Sequence, residues 1–335
     1  MFRLLISAFL LIATLLISLS YSYEILLERG EKEITTKLDF EQGIRGANFK
    51  LSFSTNRPRF REDNGLLGWL FPRKSYKTSS MKRAEDFVCI DPASVDKTFV
   101  NSVEFGGEFK VNDIQVFASK DDSVSKWLRY NGILGISPMS LCDSTKQDPE
   151  AIINRMRGSN SGFIIDLPHL RFGSQFEGKP FSAFDGRWFG LSKVELGPIA
   201  INHPMKAQID LDSNVIRVPT KIFEVLKLVL NLNVKSDEEG DKFTSRKFFC
   251  KTTVGLETVS FTGTSGTVLN LNVDRYWKSE IKSRVKIGLK KCLVETHFMP
   301  HDEDYWTFGL RLLDDFRVFF DLEEELIYFS PKMNN

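Results

Sequence analysis

A chain of 335 residues, 42% hydrophobic and 27% charged, is globular in composition and long enough for two sizeable cores. The formal net charge of +1 excludes the electrostatic footprint of a nucleic-acid binder or of a protein held on an anionic membrane. The 29 phenylalanines, with valine, isoleucine and threonine, favour strands over helices and point to an all-β class.

The N-terminus reads as a signal peptide over residues 1–22. Arg3 supplies the positive start and Leu4 to Leu19 the apolar run. Ser20-Tyr21-Ser22 makes a small-x-small cleavage site before Tyr23. This places the chain in the secretory pathway or outside the cell. No later run is long and apolar enough to span a bilayer, so no membrane span is expected after cleavage. Secretion would put the four cysteines, Cys89, Cys142, Cys250 and Cys292, in an oxidising compartment, where three pairings are open to them.

Residues 23–37 read as a short charged lead-in. Asn48 to Phe53 follows as a strand with Phe49, Leu51 and Phe53 alternating onto one face, running into a Ser54-Thr55-Asn56 turn. Arg57 to Arg83 is basic around the apolar insert Gly65 to Phe71. It reads as a solvated loop, with a binding surface for an acidic partner or a membrane face as the sharper reading. Val103 to Gly107 is a hairpin with a Gly106-Gly107 turn. Tyr130 to Ile136 is an apolar strand closing on Gly135, and Asp148 to Arg157 is helix-like with Pro149 near its start.

Further strands are read at Phe163 to Leu167, at Leu170 to Gly173, and on both sides of the Gly197-Pro198 turn. Ala207 to Asn214 carries Asp210 and Asp212 into a turn, and Pro219 opens a short helix. His297 and His301 are four apart with Pro300 between them. With Asp302, Glu303 and Asp304 they suggest a metal cluster, but a solvated loop is the expectation and no metal site is assigned. Asp210-x-Asp212-x-Asn214 starts like an EF-hand loop, yet Val215 and Lys221 occupy positions that need glycine and glutamate. The chain ends on strands at Phe316 to Leu322 and Ile327 to Phe329.

The halves repeat weakly. Each has an apolar strand into a turn, at Ser54 and at Asp210, then an apolar-apolar-glycine segment, at Gly135 and at Gly309.

This series resembles the pepsin-like aspartic proteases over roughly residues 38 to 331. Asn131-Gly132-Ile133-Leu134-Gly135-Ile136 is similar to the family's Asp-Gly-Ile-Leu-Gly-Leu, and Ala207 to Asn214 falls where its second catalytic turn belongs. Gly43 lies eleven residues before Ser54, the family's spacing from its glycine to its first catalytic aspartate.

The resemblance implies a bilobed all-β fold with an N-terminal lobe at 38–178, a C-terminal lobe at 179–335 and a cleft between them. It implies Asp210 as the second catalytic aspartate and Ser54 at the place of the missing first. It sets Phe105 and Gly106 at the tip of the flap, with phenylalanine where the family has tyrosine. It implies a Cys250–Cys292 disulfide, which leaves Cys89 with Cys142. No cofactor is implied.

The family's chemistry needs two carboxylates whose proximity drives their pKa values apart, and a serine hydroxyl does not titrate in that range. The expected function is therefore a secreted, catalytically inactive family member that binds a peptide or protein in the interlobe cleft. Two alternatives stand beside it: an active aspartic endopeptidase with a degenerate site, and a structural scaffold with a closed cleft.

Overall fold

The computed structural model describes residues 21–31, 33–40, 44–61, 82–83, 97–105, 109–119, 132–140, 146–173, 176, 178–237, 240–248, 256–278 and 291–332. Several expectations lie outside these residues: the apolar run of the signal peptide, the insert at Gly65 to Phe71, Gly106 and Asn131. Cys89, Cys142 and Cys250 lie outside them too, and with them both expected disulfides.

In chain order the first half carries β1 (Tyr21–Leu26), β2 (Glu28–Arg29), β3 (Ile34–Phe40), β4 (Ile44–Ser52), β5 (Pro58–Arg61), β6 (Lys82–Arg83), β7 (Lys97–Phe105), β8 (Phe109–Ser119), β9 (Gly132–Gly135), helix α1 (Ile152–Arg157), β10 (Gly162–Asp166) and β11 (His169–Gly173). The second half carries β12 (Ser182–Ala183), β13 (Trp188–Leu196), β14 (Ile199–Ile201), β15 (Met205–Ile209), β16 (Ile216–Pro219), α2 (Thr220–Val229), β17 (Asn233–Asp237), β18 (Gly240–Phe248), β19 (Thr258–Gly263), β20 (Val268–Asn272), β21 (Trp277–Lys278), β22 (Lys291–Thr296), β23 (Phe298–His301), β24 (Tyr305–Phe308), α3 (Arg311–Asp315), β25 (Phe316–Asp321) and β26 (Leu326–Pro331). The all-β expectation therefore holds, with three short α-helices and one 3-10 turn (Val273–Tyr276) among the described residues.

Alternation builds the strands. Ile34, Thr36, Leu38 and Phe40 of β3 are buried while the residues between them are not. Val259 and Phe261 of β19 are buried in the same rhythm, as are Leu269 and Leu271 of β20. Four sheets result. The first half forms an eight-stranded sheet in the order β2-β3-β4-β9-β5-β8-β7-β6, and a β3–β7 pairing curls it back on itself. The second half forms another, β20-β19-β13-β15-β24-β16-β23, with β14 on β13. A six-stranded sheet, β1-β11-β10-β25-β26-β12, is shared by the two halves, and β17-β18-β22-β21 forms a four-stranded one. In the shared sheet the rings of Phe163 and Phe320 stack 4.7 Å apart across the β10–β25 pairing.

Two segments take forms that the sequence did not show. Residues 23–37, read as a short charged lead-in, hold most of β1, all of β2 and the start of β3, and β1 pairs with β11. Arg57, read as the first residue of a solvated loop, has a fully buried side chain 2.9 Å from the Asp148 carboxylate. Only residues 57–61 and 82–83 of that basic stretch are described, and 58–61 and 82–83 are strands.

The internal repeat takes a definite form. β9 lies between β4 and β5, parallel to the first and antiparallel to the second. β24 lies between β15 and β16 in the same way. The outer neighbours match as well, since β5 pairs β8 and β16 pairs β23, both parallel.

Candidate functional site

The repeat can be aligned residue by residue from its ladders. Leu51 and Pro58 both pair with Leu134. Ile209 and Ile216 both pair with Phe308. Residues 52–57 of the first turn therefore match residues 210–215 of the second without a gap. Ser52 matches Asp210, Ser54 matches Asp212, and Thr55 matches Ser213.

The hydrogen bonds repeat under the same alignment. Ser54 N–H donates to Ser52 Oγ at 3.1 Å, and Asp212 N–H donates to Asp210 Oδ1 at 2.8 Å. Arg57 N–H donates to Thr55 Oγ1 at 3.4 Å, and Val215 N–H to Ser213 Oγ at 3.3 Å. Gly135 N–H donates to the Arg57 carbonyl at 3.2 Å, and Gly309 N–H to the Val215 carbonyl at 3.1 Å. Both glycines are needed for close approach. A Cβ on Gly135 would lie 2.3 Å from the Thr55 carbonyl oxygen, and one on Gly309 would lie 2.5 Å from that of Ser213.

The structural counterpart of Asp210 is thus Ser52, two residues before the position that spacing from Gly43 indicates. Ser54 is exposed on the turn and is the counterpart of Asp212. Ser52 is fully buried at the end of β4.

One chain of polar contacts links the two turns. Asp212 Oδ2 accepts from Ser52 Oγ at 2.7 Å, and Asp212 Oδ1 lies 2.5 Å from Lys50 Nζ. Because Ser52 spends its single proton on the carboxylate, Ser54 donates to Ser52 across their 2.7 Å oxygen separation. Lys50 sits between the inward-facing Phe49 and Leu51, a position that alternation alone would leave in solvent. Its side chain is only 13% exposed and reaches across to the opposite turn. A second crossing lies nearby. Arg29 of β2 donates from Nη2 to Asn214 Oδ1 at 2.8 Å and from Nε to Asp314 Oδ1 at 3.2 Å. Neither Lys50 nor Arg29 stands out in the sequence, because each contact spans more than 150 residues.

Burial pushes the Asp210 carboxyl above its ordinary value. The N–H of Asp212 pulls it back, the Asp212 charge raises it again, and Arg217 and Lys50 lower it. The sign for stability follows. Between the unfolded and folded pKa values the native state holds the extra proton, so stability falls as pH rises through that window. Asp210→Asn keeps the acceptor oxygen and removes the titration. We expect the stability of Asp210→Asn relative to wild type to be higher at about pH 7 than at about pH 3.5, measured by urea unfolding at both. An equal difference at both values would contradict the assignment.

The remaining expected site residues fall as follows. Phe105 ends β7 and is 3% exposed, inside the hydrophobic core, with its ring 6.1 Å from that of Phe109. It is therefore a core residue, and not one presented to a cleft. Cys292 lies in β22, opposite Lys247 of β18. His297 is buried, and His301 closes strand β23 with its Nε2 2.6 Å from the Tyr305 carbonyl oxygen. His297 occupies the bend between β22 and β23, and His301 ends β23. Asp302, Glu303 and Asp304 form the exposed turn that follows.

Comparison with protein-family models and with characterised proteins gives no match.

Proposed function

We propose that the chain is a secreted, bilobed relative of the pepsin-like aspartic proteases that has lost peptidase activity and binds a peptide or protein between its halves. Support comes from the matched turns, from the two eight-stranded sheets that hold them, and from the six-stranded sheet to which both halves contribute. The observation that carries the reading is the pair of side chains at the matched central positions. One is a carboxyl, Asp210; the other is a hydroxyl, Ser52. Acid–base hydrolysis of this type needs a carboxylate on each turn, one as base toward water and one as acid toward the peptide carbonyl. Ser52 donates its hydroxyl hydrogen bond to Asp212, and the Asp212 carboxylate is paired with Lys50. Neither is disposed to serve as the missing partner.

The test is retention without cleavage. Full-length protein is immobilised, exposed to a mixed peptide pool and washed, and the bound peptides are identified by mass spectrometry. Intact peptides should be retained, and Ser54→Trp, which places a large side chain on the exposed turn, should reduce their retention. Retention unaffected by Ser54→Trp would put the contact surface elsewhere. Cleaved peptides would contradict the loss of activity.

A further inference from the structure

We propose that Lys50 and Ser52 form a carboxylate-binding site that the protein's own Asp212 occupies in this state, and that a ligand's carboxylate can take its place. The site needs no imagined occupant to define its chemistry, because a carboxylate already sits in it. One oxygen lies 2.5 Å from an ammonium that is itself largely withdrawn from solvent, and the other accepts from a fully buried hydroxyl at 2.7 Å. Charge-assisted donors held in place by burial are stronger than the same groups in water. The hydroxyl is held in turn, since Ser54 contributes both its N–H at 3.1 Å and its Oγ at 2.7 Å to Ser52 Oγ. Ser52 can therefore accept from neither side again, and its proton is directed at the carboxylate.

The occupant is unlike the site in one respect. Asp212 is 39% exposed on a turn, while Lys50 is 13% exposed on a strand. Its backbone N–H is bonded to Asp210, so the turn keeps that anchor when the side chain leaves. The groups facing the site also favour a single negative charge. Asp210, on the same turn, is biased toward its neutral form by burial, and Arg217 and Lys50 are the cations acting on it. The fitting ligand is a carboxylate of a peptide, at its C-terminus or on an acidic side chain. This identification of the ligand rests on the peptide-binding reading above; the carboxylate site itself does not.

The experiment uses the full chain, its Asp212→Ala variant, and that variant combined with Lys50→Met. Ser52→Ala in the Asp212→Ala background serves as a second disruption if the lysine variant does not fold. Acetate binding is followed by NMR chemical-shift change against chloride at equal ionic strength. Peptide binding is followed with N-acetylated peptides carrying either a free or an amidated C-terminus. Asp212→Ala should bind acetate about tenfold more tightly than wild type, with the gain lost in either double variant. It should also prefer the free C-terminus over the amide. No gain for acetate in Asp212→Ala, or a gain that survives in either double variant, would overturn the site. A gain for acetate with no preference between free and amidated peptides would leave the site standing and overturn its assignment to peptide carboxylates.

Discussion

Asp148→Ala is expected to destabilise the protein by about 3–5 kcal/mol, because it removes a carboxylate paired with a buried guanidinium. The Arg57 side chain is 0% exposed and that of Asp148 only 11%, with Nη2 of Arg57 2.9 Å from Asp148 Oδ2. The same oxygen accepts from Asn56 Nδ2 at 2.9 Å, and Oδ1 accepts from the Glu150 N–H at 2.9 Å. Burial pushes the Arg57 pKa down, and Asp148 pulls it back up. Arginine does not shed its proton in a protein, so the charge stays when the partner goes. Urea unfolding of the variant measures the cost. The double variant Arg57→Met with Asp148→Leu should recover a large part of it, since removing both charges also removes the desolvation penalty. A loss below about 1 kcal/mol in the single variant would mean that the pair is solvated, as an exposed bridge is.

Ser52→Asp should be costly at neutral pH and far less so in acid, whereas Ser54→Asp should be mild throughout. Ser52 is fully buried, and its hydroxyl is 2.7 Å from the Asp212 carboxylate. A second carboxylate there faces a like charge at contact distance, in a site that already raises the pKa of Asp210. Lys50 offsets one negative charge and leaves the other. About 3 kcal/mol is expected at pH 7, the cost of holding a buried carboxyl roughly two pKa units above its ordinary value. The sign is fixed by linkage. The new group's folded pKa is raised, so the penalty is absent when both states are protonated and grows as pH rises through the window. Ser54 is exposed, and water screens a charge placed there. Urea midpoints for both variants at about pH 3.5 and pH 7 separate the two positions. A Ser54→Asp loss as large and as pH-dependent as that of Ser52→Asp would contradict the register.

The two-residue displacement between Ser54 and Ser52 shows where a sequence reading stops. The strand, the turn, the Gly135 segment and their repetition around Asp210 are all legible, because they rest on alternation and on turn residues within a few positions of one another. The register is not. It is set by the parallel ladder to β9 and by the contact of Gly135 with the Thr55 carbonyl, some eighty residues away in sequence. Two serines separated by one residue offer the same chemistry at either position, so composition could not choose between them. The hairpin at Phe105 is legible as β7 and β8, but the burial of the Phe105 ring depends on β3, which pairs with it at Leu38. Arg57 and Lys50 mislead for one reason. A long cationic side chain in a basic stretch, or on the outward face of an alternating strand, reads as solvated unless its carboxylate partner is known, and those partners, Asp148 and Asp212, lie far along the chain. Conversely, the helix opened by Pro219 is visible at once, since its fixed φ and missing N–H mark the position before Thr220.

The most direct measurement is hydrolysis of a mixed peptide pool by the full-length wild-type chain and by Asp210→Asn, assayed from about pH 3 to about pH 7, where paired carboxyls of this kind titrate. With Ser52 at the position that matches Asp210, no turnover above the buffer blank is expected from either protein at any pH. Wild-type turnover with an acid optimum, abolished in Asp210→Asn, would show that one carboxyl suffices here and would contradict the account.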